Sequence, residues 1–152
     1  MKIVAMHVDE RLVHTRFLRE WCYALRPKQL LVIENIFAGD SFMAAMYSSL
    51  VPMWMEVTVL DVNQAAEYLT NSPESTEEVL VLAKAPVVYV ELLKKGVPIS
   101  RITLADKKYF PNKIKIPAEQ RKAILQLIRR GVTVLAQETP DTDGFPIKID
   151  SF

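Results

Sequence analysis

The feature that most constrains this chain is an alternation. Six short apolar runs, at residues 2–8, 29–34, 56–60, 78–83, 101–105 and 131–137, are separated by stretches with helical spacing. The runs are β-branched and mostly unbroken, the pattern of strands buried on both faces of a parallel sheet. The segments 15–25, 40–50, 63–69, 86–95 and 117–130 predict helices. The last two open on Pro86 and Pro117 and end in Lys94-Lys95-Gly96 and Arg129-Arg130-Gly131, start and stop signals with a physical basis. Ile124, Leu127 and Ile128 put an apolar stripe on the last helix, opposite Arg121, Lys122 and Arg129. Strands and helices alternating at this length imply right-handed crossovers, hence an α/β fold with an open, doubly wound, mainly parallel sheet and helices on both faces. The run 113–116 predicts one more strand near an edge, and the tail 138–152 is expected to wrap the surface. With no linker, repeat or low-complexity tract, residues 1–152 are expected to form one domain.

Several function classes drop out on composition. A single cysteine, Cys22, excludes an internal disulfide and any multi-cysteine zinc site, and suits a reducing compartment. No apolar run spans a bilayer and no secretory signal opens the chain, so a cytoplasmic protein is expected. Charge is unevenly spread: residues 31–83 hold eight acids and no Lys or Arg, whereas residues 84–133 hold twelve bases and three acids. Bases at helix ends complement the helix dipole, and without interleaved aromatics or a binding motif this is a solvated or docking face and not a nucleic-acid surface. Phe42, Met43, Met46, Tyr47 and Leu50, followed by Pro52-Met53-Trp54-Met55, supply more large apolar groups than one helix face buries. Part belongs to the core; the surplus around Met53–Met55 suggests a contact surface, a homodimer among the options.

Chemistry concentrates after the first strand, where open α/β sheets bind ligands. The loop His7-Val8-Asp9-Glu10-Arg11-Leu12-Val13-His14-Thr15-Arg16 holds both histidines of the chain. The helix that follows offers free N–H groups and a dipole that favour an anion. Arg11 and Arg16 are suited to clamping a phosphate, and Thr15 adds a hydroxyl donor. Asp9 is placed to hold one imidazole nitrogen and so leave the other as a nucleophile on His14. Plainer roles stand beside these: Asp9 or Thr15 as a helix cap, Arg11 in a surface ion pair, and His7, at the strand end, as a structural residue. The spacing of His7, Asp9 and His14 matches no zinc signature, and the loop has no glycine for a nucleotide fingerprint. No metal or cofactor is expected.

The segment Val8-Asp9-Glu10-Arg11-Leu12-Val13-His14 resembles the active-site loop of IIB components of the mannose/fructose/sorbose family of the bacterial sugar phosphotransferase system. The likeness continues at LVIENIFAGD (31–40), LLKKGVPI (92–99) and GVTVLAQETP (131–140). It implies a cytoplasmic carrier that accepts a phosphoryl group on His14 from a IIA partner and passes it to a sugar held by the membrane subunits IIC and IID. It departs from the family where His7 stands for a leading arginine, Thr15 for a glycine, Arg16 for a glutamine, and Ala105-Asp106-Lys107-Lys108 for a glycine-containing loop. Arg16 is then expected to replace the charge missing at position 7, and Lys107 to approach the phosphate. The alternatives are a diverged regulatory or binding module without sugar phosphotransfer, and a domain using the same loop for a free phosphorylated metabolite.

Overall fold

The computed structural model describes residues 1–71, 76–110 and 116–148. The chain runs β1 (Lys2–Val8), α1 (residues 15–25), β2 (Gln29–Ile33), α2 (Ser41–Leu50), β3 (Glu56–Leu60), α3 (Val62–Asn71), β4 (Glu78–Ala83), α4 (Pro86–Lys94), β5 (Arg101–Leu104), α5 (Ala118–Arg129), β6 (Thr133–Ala136) and β7 (Phe145–Pro146). These strands form one sheet in the order β3-β2-β4-β1-β5-β6-β7, parallel throughout except for β7. The doubly wound architecture expected from the alternation is the one observed.

The strand order explains where the helices lie. From β1 the chain steps outward to β2 and β3, carrying α1 and α2 over one face; it then returns through β4, β5 and β6, carrying α3, α4 and α5 over the other. Each face therefore has its own core. Phe17, Leu18, Trp21 and Cys22 of α1 pack with Leu30, Val32, Leu80 and Leu82 on the first face. Ala65, Tyr89, Leu92, Ile124 and Leu127 pack with Leu31, Val81, Ile102 and Leu104 on the second. The direction of winding reverses at β1, so the carboxyl end of that strand is the switch point at which loops diverge and a binding site forms.

Local details follow the sequence signals closely. Gly96 and Gly131, at φ +91° and +89°, end α4 and α5 in the left-handed conformation. Val97 and Val132 donate N–H bonds back to Leu92 and Leu127, closing the orphan carbonyls. Asp40 caps α2, its carboxylate accepting N–H bonds from Phe42 and Met43.

Two details go beyond the sequence reading. Helix α1 is not regular: Leu18–Cys22 widens to i→i+5 bonding, a form that recurs next to functional sites. The tail does more than wrap the surface, because Phe145–Pro146 pairs antiparallel with β6. Of the run 113–116, expected to add an edge strand, residues 113–115 lie outside the described residues. The apolar segment 52–55 divides as well: Met55 is buried while Met53 is fully exposed, so only part of it is available as a surface.

Candidate functional site

Strand β1 delivers Asp9 to the carboxyl edge of the sheet, and the turn after it is built on that side chain. Asp9 Oδ1 accepts the Arg11 N–H at 2.9 Å, and its carbonyl accepts the Leu12 N–H at 2.9 Å. The turn drives Leu12 to φ +57°, a conformation disfavoured for a branched side chain. Burial offsets the strain, since Leu12 and Val13 both enter the core beneath the loop. With those two residues inserted, His14 emerges at the N-cap of α1, its backbone extended at φ −150° and ψ 169°. Its side chain makes no cap bond.

It turns instead to Asp9. His14 Nε2 lies 2.7 Å from Asp9 Oδ2, with the two side chains 15 % and 7 % exposed. Because the carboxylate accepts, Nε2 carries the proton, and in the neutral tautomer this leaves the lone pair on Nδ1, the division of labour a nucleophilic imidazole needs.

Beside this pair is a pocket of about 160 Å³ lined by Asp9, Arg11, Arg16, Glu20, Asp106 and Lys107, among others. The sequence brings the two loops together because β1 and β5 are neighbours, pairing His7 with Thr103 and Val8 with Leu104. Three cations and three carboxylates share this wall. Arg16 donates from Nε to Glu20 at 2.9 Å, an i,i+4 pair that partly neutralises it and raises its pKa. Lys108 binds Glu10 at 3.0 Å, tying the β1–α1 loop to the loop after β5. Among the described residues Arg11 and Lys107 have no carboxylate partner, which leaves them the cations most available to an incoming anion. Thr15 is exposed at the helix start and does not line the pocket.

His7 is a different kind of histidine. It is fully buried, its Nδ1 is 2.7 Å from Thr103 Oγ1, and its ring lies 3.9 Å from that of Trp21. Burial, with a smaller contribution from His14, pushes its pKa down to about 3, so it stays neutral and supplies no counter-charge. Asp106 shifts the other way: burial, then Asp9 and Glu10, raise its pKa, and its Oδ2 has no hydrogen-bond partner. Sequence reasoning assigned no role to Glu20, Trp21 or Asp106 in the pocket. Glu20 was signalled by its place four residues after Arg16, whereas Trp21 and Asp106 are brought in by the widened helix turn and by the β1–β5 pairing.

A larger cavity, about 450 Å³, opens on the first face where β1 and β5 diverge before Thr103, but neither histidine nor carboxylate lines it. Among the described residues no group of three or more His, Cys, Asp or Glu side chains is arranged to hold a metal ion. No described helix is long and apolar enough to cross a membrane.

Comparison with known proteins gives a consistent set of relatives. A family model described as "PTS system sorbose subfamily IIB component" matches residues 3–147. A sorbose-specific EIIB component of Lacticaseibacillus casei is 23 % identical over 76 % of this chain and 71 % of its own length. An N-acetylgalactosamine-specific IIB component 2 of Escherichia coli is 22 % identical over 91 % of both. The mannose-specific EIIAB component of Escherichia coli is 21 % identical over 87 % of this chain, which spans only 43 % of that longer protein. In fold, the chain is similar to the IIBSor domain of the sorbose permease from Klebsiella pneumoniae, with a TM-score of 0.83 at 18 % identity, covering 99 % of this chain and 96 % of that one.

Proposed function

Since the chain belongs to the sorbose subfamily of phosphotransferase-system IIB components, we propose that it is a phosphocarrier that accepts a phosphoryl group on Nδ1 of His14. The donor in this reading is a phosphohistidine on a IIA protein, and the acceptor is a sugar held by the IIC and IID subunits of a membrane permease. The observation that carries the proposal is the 2.7 Å bond from His14 Nε2 to Asp9, which in the neutral ring leaves the lone pair on Nδ1, with Asp9 itself lining the pocket.

The steps balance without a cofactor. The Nδ1 lone pair attacks phosphorus, the N–P bond to the donor imidazole breaks, and that imidazole leaves with the electron pair. The new phosphohistidine ring gains positive character, which Asp9 stabilises through the Nε2 proton, while Arg11 and Lys107 offset the phosphoryl oxygens. In the second transfer a sugar hydroxyl attacks phosphorus, the Nδ1–P bond breaks, and the hydroxyl proton is released. Three carboxylates against three cations in the pocket wall suit a carrier, because a wall of net positive charge would hold the phosphoryl group instead of passing it on. A cytoplasmic location at the inner membrane face goes with this role.

The test is to incubate the protein with phosphoenolpyruvate, the general phosphotransferase proteins and a cognate IIA. An acid-labile phosphate should appear, and proton-detected nitrogen NMR should place it on Nδ1 of His14. Attachment at Nε2 would overturn the assigned geometry; no label under conditions that phosphorylate a known IIB would overturn the function.

A further inference from the structure

The two edges of the sheet are protected very differently. Strand β7 is two residues long, contains Pro146 and runs antiparallel, a short and blunted edge. Strand β3, at the other end, pairs with β2 in regular register over all five residues, without bulge, proline or lysine. Its hydrogen-bonding directions can be assigned. Glu56 N–H donates to the Lys28 carbonyl and the Leu60 carbonyl accepts from Glu34, so Glu56 and Leu60 face β2. Alternation along the strand then points the N–H and C=O of Val57 and Val59 outward, and among the described residues nothing pairs with them.

We propose that this edge pairs with the same edge of a second copy, making a two-fold symmetric dimer centred on Thr58. In an antiparallel pairing about that residue, Val57 of each copy stands opposite Val59 of the other. Both residues exchange N–H and C=O bonds, giving four inter-chain hydrogen bonds from groups that already point outward. Glu56 then faces Leu60 and not another acid, and Thr58 faces Thr58, so no like charges meet. The neighbouring helix fits the same partner. Helix α2 carries no acidic or basic side chain from Ser41 to Leu50, so two copies brought side by side on one face of the joined sheet meet without charge repulsion between these helices. A groove of about 330 Å³ between the start of α2 and Val57–Val59 lies along the seam.

Five of the large hydrophobic residues left exposed on the chain, Ile36, Phe42, Met46, Leu50 and Met53, cluster in the segment next to this edge. A two-fold contact also uses up both edges at once, which closes the assembly where addition of successive strands would run on into fibres. The His14 site stays open, because β2 and β4 separate β3 from β1. The inference is independent of the phosphocarrier reading, and it can fail without affecting that reading.

Sedimentation equilibrium over about a hundredfold range of concentration should show the parent protein reaching twice its monomer mass. Val59→Pro removes an outward N–H that β2 does not use, and should give a folded monomer. Thr58→Lys and Thr58→Glu should each dimerise more weakly than the parent, and a mixture of the two should associate more tightly than either alone. In the parent, the Val57 and Val59 amides should exchange more slowly as concentration rises. A parent that remains monomeric throughout, or a Val59→Pro variant that folds and dimerises like the parent, would overturn the proposal. If Val59→Pro fails to fold, indifference of the two Thr58 variants and their mixture to charge would overturn it instead.

Discussion

His7 and His14 flank the same strand end, and the structure puts them in opposite surroundings. His14 is 15 % exposed, with Nε2 held by Asp9, a residue of the charged pocket wall. His7 sits among Phe17, Trp21 and Thr103 with no exposed surface, its Nε2 without a partner. A phosphoryl group adds roughly −1.5 to −2 charges, which the first region can meet with solvent, Arg11 and Lys107 and the second cannot meet at all. In the proposed carrier role, access and a fixed proton, more than residue type, would decide which imidazole reacts.

The largest effect expected from breaking this contrast is complete. His14→Ala should abolish phosphate labelling, while His7→Ala should keep it. The buried substitution should show itself in stability instead, leaving a cavity against Trp21 at a cost of about 2–4 kcal/mol. Thermal melts and labelling on the same samples separate the two roles. Labelled His14→Ala would remove the assignment.

Next in size is the carboxylate that distinguishes the regions. Asp9→Asn keeps the shape of the turn but can no longer hold the Nε2 proton as an anion. Losing a hydrogen bond to a charged group, roughly 1.5–3 kcal/mol, corresponds to a slowing of about ten- to a hundredfold. Arg11→Ala should weaken labelling by about tenfold. Initial phosphorylation rates with one IIA donor check both, and an Asp9→Asn rate equal to the parent would mean the tautomer is fixed by something else.

Much of this was legible in the sequence. The fold class was, because the six parallel strands and the glycine stops are encoded locally, whereas the strand order and the pairing of β7 depend on contacts no local pattern carries. The Asp9–His14 pair was legible for the same reason, being only five residues apart. Contacts across the sheet were not legible from local pattern: Asp106 reaches the pocket through pairing between β1 and β5, some hundred residues apart, and Lys107, expected there only through the family resemblance, arrives by the same route. The state of His7 was half legible. Its structural role followed from its place at the end of an apolar strand, but its depth of burial depends on Trp21, which the widened turn of α1 swings against it.

That burial has a pH consequence. His7 is held near 3 in the folded protein against 6.5 for an ordinary histidine, so the unfolded chain binds a proton that the folded one refuses. Stability is unaffected above 6.5 and falls as pH drops below it, by about 1.4 kcal/mol per unit. At pH 5 the loss should be about 2 kcal/mol relative to pH 7. Urea melts at the two pH values should show it, and His7→Gln should reduce the difference; an equal difference in that variant would assign the acid sensitivity to other groups.

The smallest effect concerns Arg16, expected from the sequence to supply the positive charge missing at position 7. The structure changes that expectation in two ways. An arginine at position 7 would be buried among aromatic rings without a carboxylate, so restoring the family residue there should destabilise the protein. Arg16 itself is held at Nε by Glu20, with part of its charge already answered, although its guanidinium still lines the pocket. A half-exposed pair of this kind is worth roughly 0–1 kcal/mol, so Arg16→Gln should lower the initial phosphorylation rate by no more than about fivefold. Glu20→Gln should act in the opposite direction by a similar factor, because it releases the guanidinium toward an incoming phosphoryl group. If Arg16→Gln is as damaging as Arg11→Ala, both arginines clamp the phosphate and the Glu20 bond opens during transfer. If neither Arg16→Gln nor Glu20→Gln changes the rate, the pair only stabilises the helix, and the charge missing at position 7 is not replaced from position 16.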